Sequence, residues 1–376
     1  MIDYDVLKLI WWLLIGILFI GFAISDGFDL GICAALPFIG RDDDERRIII
    51  NSIGPHWDGN QVWLITGAAA IFAAWPPVYA SAFSGLYFAL LLVLFSLFFR
   101  PVGFEYRSKL DHPRWRQVWD WGLFAAGAVP SLIFGVAFGN LFLGLPFQLD
   151  ADMRSVYLGS FWGLLHPFAL LAGVVSVAML VMHGMAFLRL RTEGALRART
   201  LLVARLSALI LMLAFALAGI WVSGLNGMHL QSLPVAPQYS ILAKQVVVVP
   251  GGWLDNYARY PWMLVAPAVA FAGAAGVMVL IGRLPVLAFL CSAVSVSAVI
   301  LTAGFSLFPF VMPSSADLAS SLTLWDATSS QLVLSWMFWT SMIFLPLILA
   351  YTVWSYRVMW GRISREHLRQ QGKYLY

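Results

Sequence analysis

The sequence predicts an all-α integral membrane protein with nine transmembrane helices. Three observations predict it. Of 376 residues, 61% are hydrophobic and only 11% charged, with a mean hydropathy of +0.83, whereas soluble domains are roughly 25% charged. Apolar stretches long enough to cross a bilayer, about 20 residues each, recur nine times. The cations divide unevenly between alternate connections, as the positive-inside rule demands of a multi-pass chain.

The first stretch, 9–32, follows Asp3 and Asp5 rather than a positive leader and has no small-residue cleavage site, so it reads as a retained span and not a signal peptide. Spans at 53–75 and 78–99 are separated only by Trp75-Pro76-Pro77, a sharp stop that favours an antiparallel hairpin. Further spans fall at 119–147, 157–188, 204–225, 261–282, 284–312 and 331–356, the seventh and eighth meeting at Gly282-Arg283-Leu284-Pro285. The longest connection, Asn226 to Tyr260, holds Pro234, Pro237, Pro250 and the Val246–Val249 run, and predicts an ordered cap of short irregular pieces. Thr328-Ser329-Ser330-Gln331 has capping-box spacing at the start of the ninth helix. Gly27, Gly31, Gly54 and Gly59 fit close helix approach rather than a phosphate cradle, since no strand precedes them.

Loop charges fix the sidedness. Of the 23 Lys and Arg residues, only Lys8, Arg154, Lys244 and Arg259 fall on one side. The other nineteen lie on the alternate connections and the tail, including Arg365, Arg369 and Lys373, which places the N-terminus outside and the C-terminus in the cytoplasm. The formal charge of +4 and pI of about 9.1 therefore need no nucleic acid, and no basic domain with aromatic partners exists to bind one. Cys33 and Cys291 sit in apolar segments, where a thiol is a small hydrophobe. Trp11, Trp12, Trp75, Trp121, Trp162, Trp221, Trp253, Trp262, Trp325, Trp354 and Trp360 fall near span ends, as an interfacial belt requires.

Chemistry concentrates in a few polar groups. Asp58, in His56-Trp57-Asp58-Gly59-Asn60-Gln61 near the start of the second span, is expensive at membrane depth and such acids usually face a bundle interior or a water path. Two readings compete for it: a proton relay, or a structural pair or cap with Arg100 or Asn60. Glu105 and Lys109 on the cytoplasmic loop are either proton-uptake groups or solvated charges. Asp26 and Asp29, three apart, share a helical face. Asp29 and Arg100 are expected to form a buried brace, and Asp120, between Trp119 and Trp121, an N-cap or interfacial anchor. Trp57 is placed with these bracing groups. Of six histidines, His112, His229 and His367 lie in loops or the tail; the remaining His56, His166 and His183 and the scattered methionines read as core residues rather than haem ligands.

Five stretches in order resemble subunit II of the cytochrome bd ubiquinol oxidases. They are Ser25-Asp26-Gly27-Phe28-Asp29-Leu30-Gly31; the run from Glu45-Arg46-Arg47 and Asn51-Ser52 into Pro55-His56-Trp57-Asp58-Gly59-Asn60-Gln61-Val62-Trp63; Ser96-Leu97-Phe98-Phe99-Arg100-Pro101-Val102-Gly103-Phe104; Phe308-Pro309-Phe310-Val311-Met312-Pro313-Ser314-Ser315; and Leu324-Trp325-Asp326-Ala327-Thr328-Ser329-Ser330-Gln331. The likeness spans essentially the whole chain. It implies two four-helix bundles plus one peripheral helix, divided as 1–150, 151–315 and 316–376 including the tail. It also implies a heterodimer with a haem-bearing subunit I, often with a small single-helix accessory subunit, in the bacterial inner membrane among lipid.

Such a complex oxidises quinol and reduces dioxygen to water, contributing to the proton motive force without pumping. Haem b558, haem b595 and haem d would be ligated by subunit I, and this chain could hold a structural ubiquinone, whose contacting residues the resemblance leaves open. The resemblance also implies a cytoplasmic proton route past Lys109, Glu105 and Asp58 into subunit I. Position 105 is Glu where close relatives often carry Asp, which keeps the acid and lengthens the arm. Two rival functions stand against this one: a proton-coupled secondary transporter, which would show mid-membrane helix breaks and an inverted repeat, and a purely structural scaffold.

Overall fold

The computed structural model describes residues 2–232, 241–364 and 366. Pro234, Pro237, Arg365, His367, Arg369 and Lys373 lie outside these residues. Helix α1 (Tyr4–Ile39) opens on Asp3, whose carboxylate accepts from the Asp5 and Val6 amides. A short amphipathic α2 (Asp43–Ile53) follows, capped by Asp42, which accepts from Glu45 N at 2.8 Å while Glu45 reaches back to the Arg41 amide. Then come α3 (Trp57–Ala74), α4 (Pro76–Gly85), α5 (Tyr87–Tyr106), α6 (Pro113–Leu143), the hairpin β1 (Phe147–Leu149) and β2 (Ser155–Tyr157), α7 (Pro167–Arg191) and α8 (Gly194–Ser223). The outer connection holds β3 (Asn226–Ser232), β4 (Gln245–Pro250) and the short α9 (Asp255–Arg259). The chain closes with α10 (Val265–Leu280), α11 (Pro285–Leu307), the β5 (Phe310–Met312) and β6 (Leu322–Thr323) pair, and α12 (Gln331–Val358).

Eight of the described helices are long and apolar enough to cross a membrane. Helix α3, 18 residues long with a polar first turn, is not among them and occupies the place of the ninth expected span. Two four-helix bundles result: α1, α3, α5 and α6 in one, α7, α8, α10 and α11 in the other, joined where α7 packs on α1 and α6. Helix α12 lies outside both, touching α1 and α3, and only 11% of its apolar window is buried.

Helices cross through glycine both between the bundles and within the first one. A Cβ on Gly31 would sit inside the Leu180 carbonyl of α7, one on Gly184 would lie 2.8 Å from Ile32 N, and one on Gly127 of α6 would collide with the Leu30 carbonyl. Only bare backbone permits these crossings. Gly27 also meets α7, at Leu180, but Gly59 faces open space and Gly54 ends α2, so close approach explains only the first two of the four glycines.

Several expected boundaries move. The third span starts at Pro76 and breaks at Leu86, where Tyr157 of β2 presses against Gly85, so one apolar run becomes α4 and α5. The fourth span starts two turns early at Pro113, which places Asp120 inside α6 and not at its cap. The first ten residues expected in the fifth span hold only the last residue of β2, an irregular stretch and a 3₁₀ turn, because His166-Pro167 starts the helix. The cap of the ninth helix is Ser330, whose hydroxyl accepts from Val333 N, while Gln331 donates to the Ile2 carbonyl; Thr328 is not the cap. The outer cap is a β-ribbon, β3 pairing antiparallel with β4 through the valine run. Trp11, Trp75 and Trp253 are core residues rather than belt residues, Trp11 and Trp253 donating to the Leu334 and Phe142 carbonyls. Trp162, Trp262, Trp354 and Trp360 are exposed as a belt requires.

Candidate functional site: buried charges and an exposed acid line

One end of the molecule gathers most of the described ionisable groups. Asp120 is buried in α6 and receives Arg107 Nε at 2.6 Å from the end of α5 and Arg46 Nη1 at 2.7 Å from α2. Arg107 continues to Asp43 at 2.9 Å, which also takes Arg116. Arg199 of α8 joins Glu45, and Arg189 of α7 donates to the Ile281 and Gly282 carbonyls past the end of α10. These bonds tie the cytoplasm-assigned ends of five long helices and α2 into one framework. The opposite end is fastened separately: Ser329 bonds to the end of α3, and Lys244 of the outer connection pairs with Asp326 at 2.6 Å inside the protein.

Deeper in the first bundle, Arg100 is fully buried and its Nη1 contacts Asp26 Oδ1 at 2.6 Å. The sequence reading assigned this pairing to Asp29. Asp26 and Asp29 occupy one face of α1, and the turn between them decides which meets α5. Arg100 also belongs to α5 itself and not to the loop that follows. Asp29 Oδ2 instead accepts from Asn60 Nδ2 at 2.8 Å, and Asn60 Oδ1 accepts from the Tyr356 hydroxyl of α12 at 2.8 Å. His56 stacks on the Tyr356 ring, centroids 4.1 Å apart. Trp57 sits over Arg100, whose guanidinium lies 6.0 Å from its ring, and meets Phe104 edge-on.

Asp58 does not face this interior. It is exposed on the surface of the chain, as are Glu105 and Lys109. The helix explains why: at 100° per residue, Asp58 points away from both His56 and Asn60, which take the inward face. Neither Arg100 nor Asn60 is its partner, so a pair or cap with either is ruled out. Glu105 and Lys109 line one open depression with Tyr106, Leu110 and Trp115. The contact of Trp57 with Phe104 brings the start of α3 against the end of α5.

His183 uses both ring nitrogens, toward Ser292 Oγ at 2.7 Å and the Ile24 carbonyl at 2.9 Å, and packs flat on Phe289. His56 is enclosed against Tyr356. His166 caps α7.

Residues 7–359 match the family described as cytochrome bd terminal oxidase subunit II. The chain belongs to this family. It is 51% identical to cytochrome bd-I ubiquinol oxidase subunit 2 of Escherichia coli K12 over 382 aligned positions, with both chains covered in full. It is 49% identical to the probable cytochrome oxidase subunit 2 of Haemophilus influenzae, again over the whole of both, and 33% identical to cytochrome bd ubiquinol oxidase subunit 2 of Bacillus subtilis over 95% of this chain and 97% of that one. The bd oxidase structure from Geobacillus thermodenitrificans superposes with a TM-score of 0.64 over 94% of this chain and 98% of the matched chain at 10% identity, a likeness of fold.

Tyr356 and Asn60 are the parts of this subunit II site that sequence reasoning missed. Asn60 was visible in the polar block, but Tyr356 near the end of α12 reads as an interfacial aromatic, and no spacing connects it to α3.

Proposed function

We propose that this chain is the non-haem partner subunit of a quinol oxidase that couples quinol oxidation to reduction of dioxygen to water, and that it carries protons from the cytoplasm toward its neighbour. Full-length membership of the subunit II family supports the first part. The second rests on one observation: Asp58, at the first turn of a membrane-crossing helix, is turned outward with Glu105 and Lys109 exposed along the adjoining helix end. Exposure of an acid on the flank of a membrane subunit is costly against lipid and useful against a partner that needs the proton.

Lys109 and Glu105 collect protons at the rim, and Asp58 passes them on to subunit I, which ligates haem b558, haem b595 and haem d. The haems supply the electron chemistry; this chain's residues hold and hand over protons. The N-terminus lies in the periplasm and the C-terminus in the cytoplasm, in the bacterial inner membrane, since the arginine framework gathers at one end. Residues 1–150 and 151–315 act as the two bundles and 316–376 as the peripheral helix and tail. A small single-helix subunit completes the complex, and a structural ubiquinone sits on this chain among lipid.

The test is Asp58→Asn in the purified complex. Haem content stays near normal while oxygen consumption slows about tenfold or more, the scale of losing a proton-transfer group. Normal turnover leaves only the scaffold reading. A colourless protein that purifies alone and moves solute with protons would establish the transporter instead.

A further inference from the structure

The buried group around Arg100 does not balance. Asp26, Asp29 and Arg100 are all fully buried, so two carboxylates share one guanidinium. Asp26 holds Arg100 at 2.6 Å. Asp29 lies within hydrogen-bond reach of Asp26 and receives only the neutral amide of Asn60. The other ionisable groups packed around it do not correct the sum. Cys33 is on the same helix, Tyr356 is a neutral donor into Asn60, His56 stacks on that tyrosine, and His183 is occupied by Ile24 and Ser292. Arg191 of α7 is spent on the Met359 carbonyl and the Trp360 ring. An uncompensated buried carboxylate is among the most expensive groups a protein can hold, and it is relieved most cheaply by binding a proton.

A second observation is independent of that sum. Asp29 Oδ1, Asp26 Oδ2, Arg100 Nε and Nη2, and His56 Nε2 are buried polar atoms that make no hydrogen bond within the chain. Unsatisfied buried groups are costly, and buried water is their usual remedy. Asn60, which fixes the other Asp29 oxygen, lies two residues from Asp58 on α3.

We propose that Asp29 is protonated in the resting protein and is a second acid of the proton route, an internal store hydrated alongside Arg100 and one helix in from Asp58. The step is a bare proton transfer: the Asp29 O–H bond breaks, water takes the proton, and the carboxylate regains one from the cytoplasmic side, with no electron moved. The proposal rests on the proton-carrying role assigned to Asp58 and adds a member to it.

Infrared difference spectra of the whole complex test it, with aspartate carboxyl carbons isotopically labelled. A protonated-carboxyl band that shifts with the label in the unmodified complex, disappears in Asp29→Asn and moves in Asp29→Glu is expected; a complex with no such band overturns the proposal without any variant having to fold. Asp29→Asn replaces a neutral group by a neutral one, so haem content should remain and oxygen consumption should fall about tenfold or more. Asp26→Asn strands a buried guanidinium and should lose haem instead. Equal loss of haem in both variants shows two ionised bracing carboxylates and overturns the proposal. With Asp58→Asn in parallel, slow turnover there and normal turnover in Asp29→Asn defeats the internal store alone, whereas normal turnover in both defeats the route as a whole.

Discussion

Asp120 and Asp58 belong to the same chain and to helices of the same bundle, yet they solve opposite problems. Asp120 is enclosed and answered by Arg107 and Arg46 at 2.6 and 2.7 Å, with every bond made inside the subunit. Asp58 has been turned outward and shares no bond with the arginine beneath Trp57. Asp120 is paired within the subunit and serves its shape, whereas Asp58 stays exposed, and on the proposed route it is the charge offered to a neighbour. The difference predicts a distinct signature for each: substituting an acid paired to arginine within the subunit, such as Asp120, damages assembly, and substituting the outward Asp58 damages turnover.

The largest effect should come from the crossing that holds both bundles in register. Gly31→Leu puts a side chain where the Leu180 carbonyl already sits, so α1 and α7 must separate. Overpacking a tight core usually costs about 1–3 kcal/mol and more where backbone is the obstacle. The expected outcome is loss of the assembled complex, read as absence of haem in the membrane fraction. Normal haem content would mean that the bundles tolerate separation and that the inward set is not anchored by this contact.

Asp120→Ala comes next. It leaves Arg107 buried without its main partner, a change that costs about 3–5 kcal/mol when the surroundings stay dry. Asp43, which is partly exposed, remains on Arg107 and moderates the loss. The complex should melt lower and lose haem in detergent, while any fraction that survives should turn over normally. Slow turnover in an intact complex would move Asp120 from the inward set to the outward one.

How much of this contrast the sequence discloses depends on the kind of constraint. The expected spans are visible because lipid demands about 20 apolar residues whatever the tertiary packing, while the Leu86 break, the early start of α6 and the late start of α7 escape that logic. Direction along a face is harder. Asp26 and Asp29 occupy one stripe of α1, and a shift of a single turn decides which of them Arg100 meets. The inward preference of His56 and Asn60 turns Asp58 outward, but which side of α3 is covered follows from packing of α1 and α12 and not from the local run. The cap at Ser330 slipped by two residues from the expected Thr328 for a similar reason: Thr328 is engaged near Tyr4 of α1, a contact 324 residues away in sequence.

On the outward side, Glu105→Gln should act more weakly than Asp58→Asn. Glu105 shares its depression with Lys109 and open solvent, so on the proposed route protons would still reach Asp58 by other paths when one collecting group is removed. A slowing of about two- to threefold is expected, against the larger factors typical of a dedicated transfer group, and it should be most visible at high pH, where protons are scarce. Haem content should not change. A loss as deep as that of Asp58→Asn would make Glu105 an obligatory member of the line.

The smallest effect separates an ion pair that closes the framework from one that merely decorates it. Arg116 bridges Asp43 at 2.9 Å and Asp111 at 3.0 Å, and Asp111 is 94% exposed. Exposed pairs gain little because water screens them and both side chains lose freedom when they meet. Asp111→Asn should therefore leave melting temperature, haem content and oxygen consumption unchanged, although it removes a salt bridge of nearly the same length as those around Asp120. Burial rather than distance sets the worth of these contacts. A measurable drop in melting temperature on losing the Asp111 charge would show that the rim is drier in the assembled complex than in the chain alone, because a partner covering Asp111 would give that pair the same footing as the one beneath it.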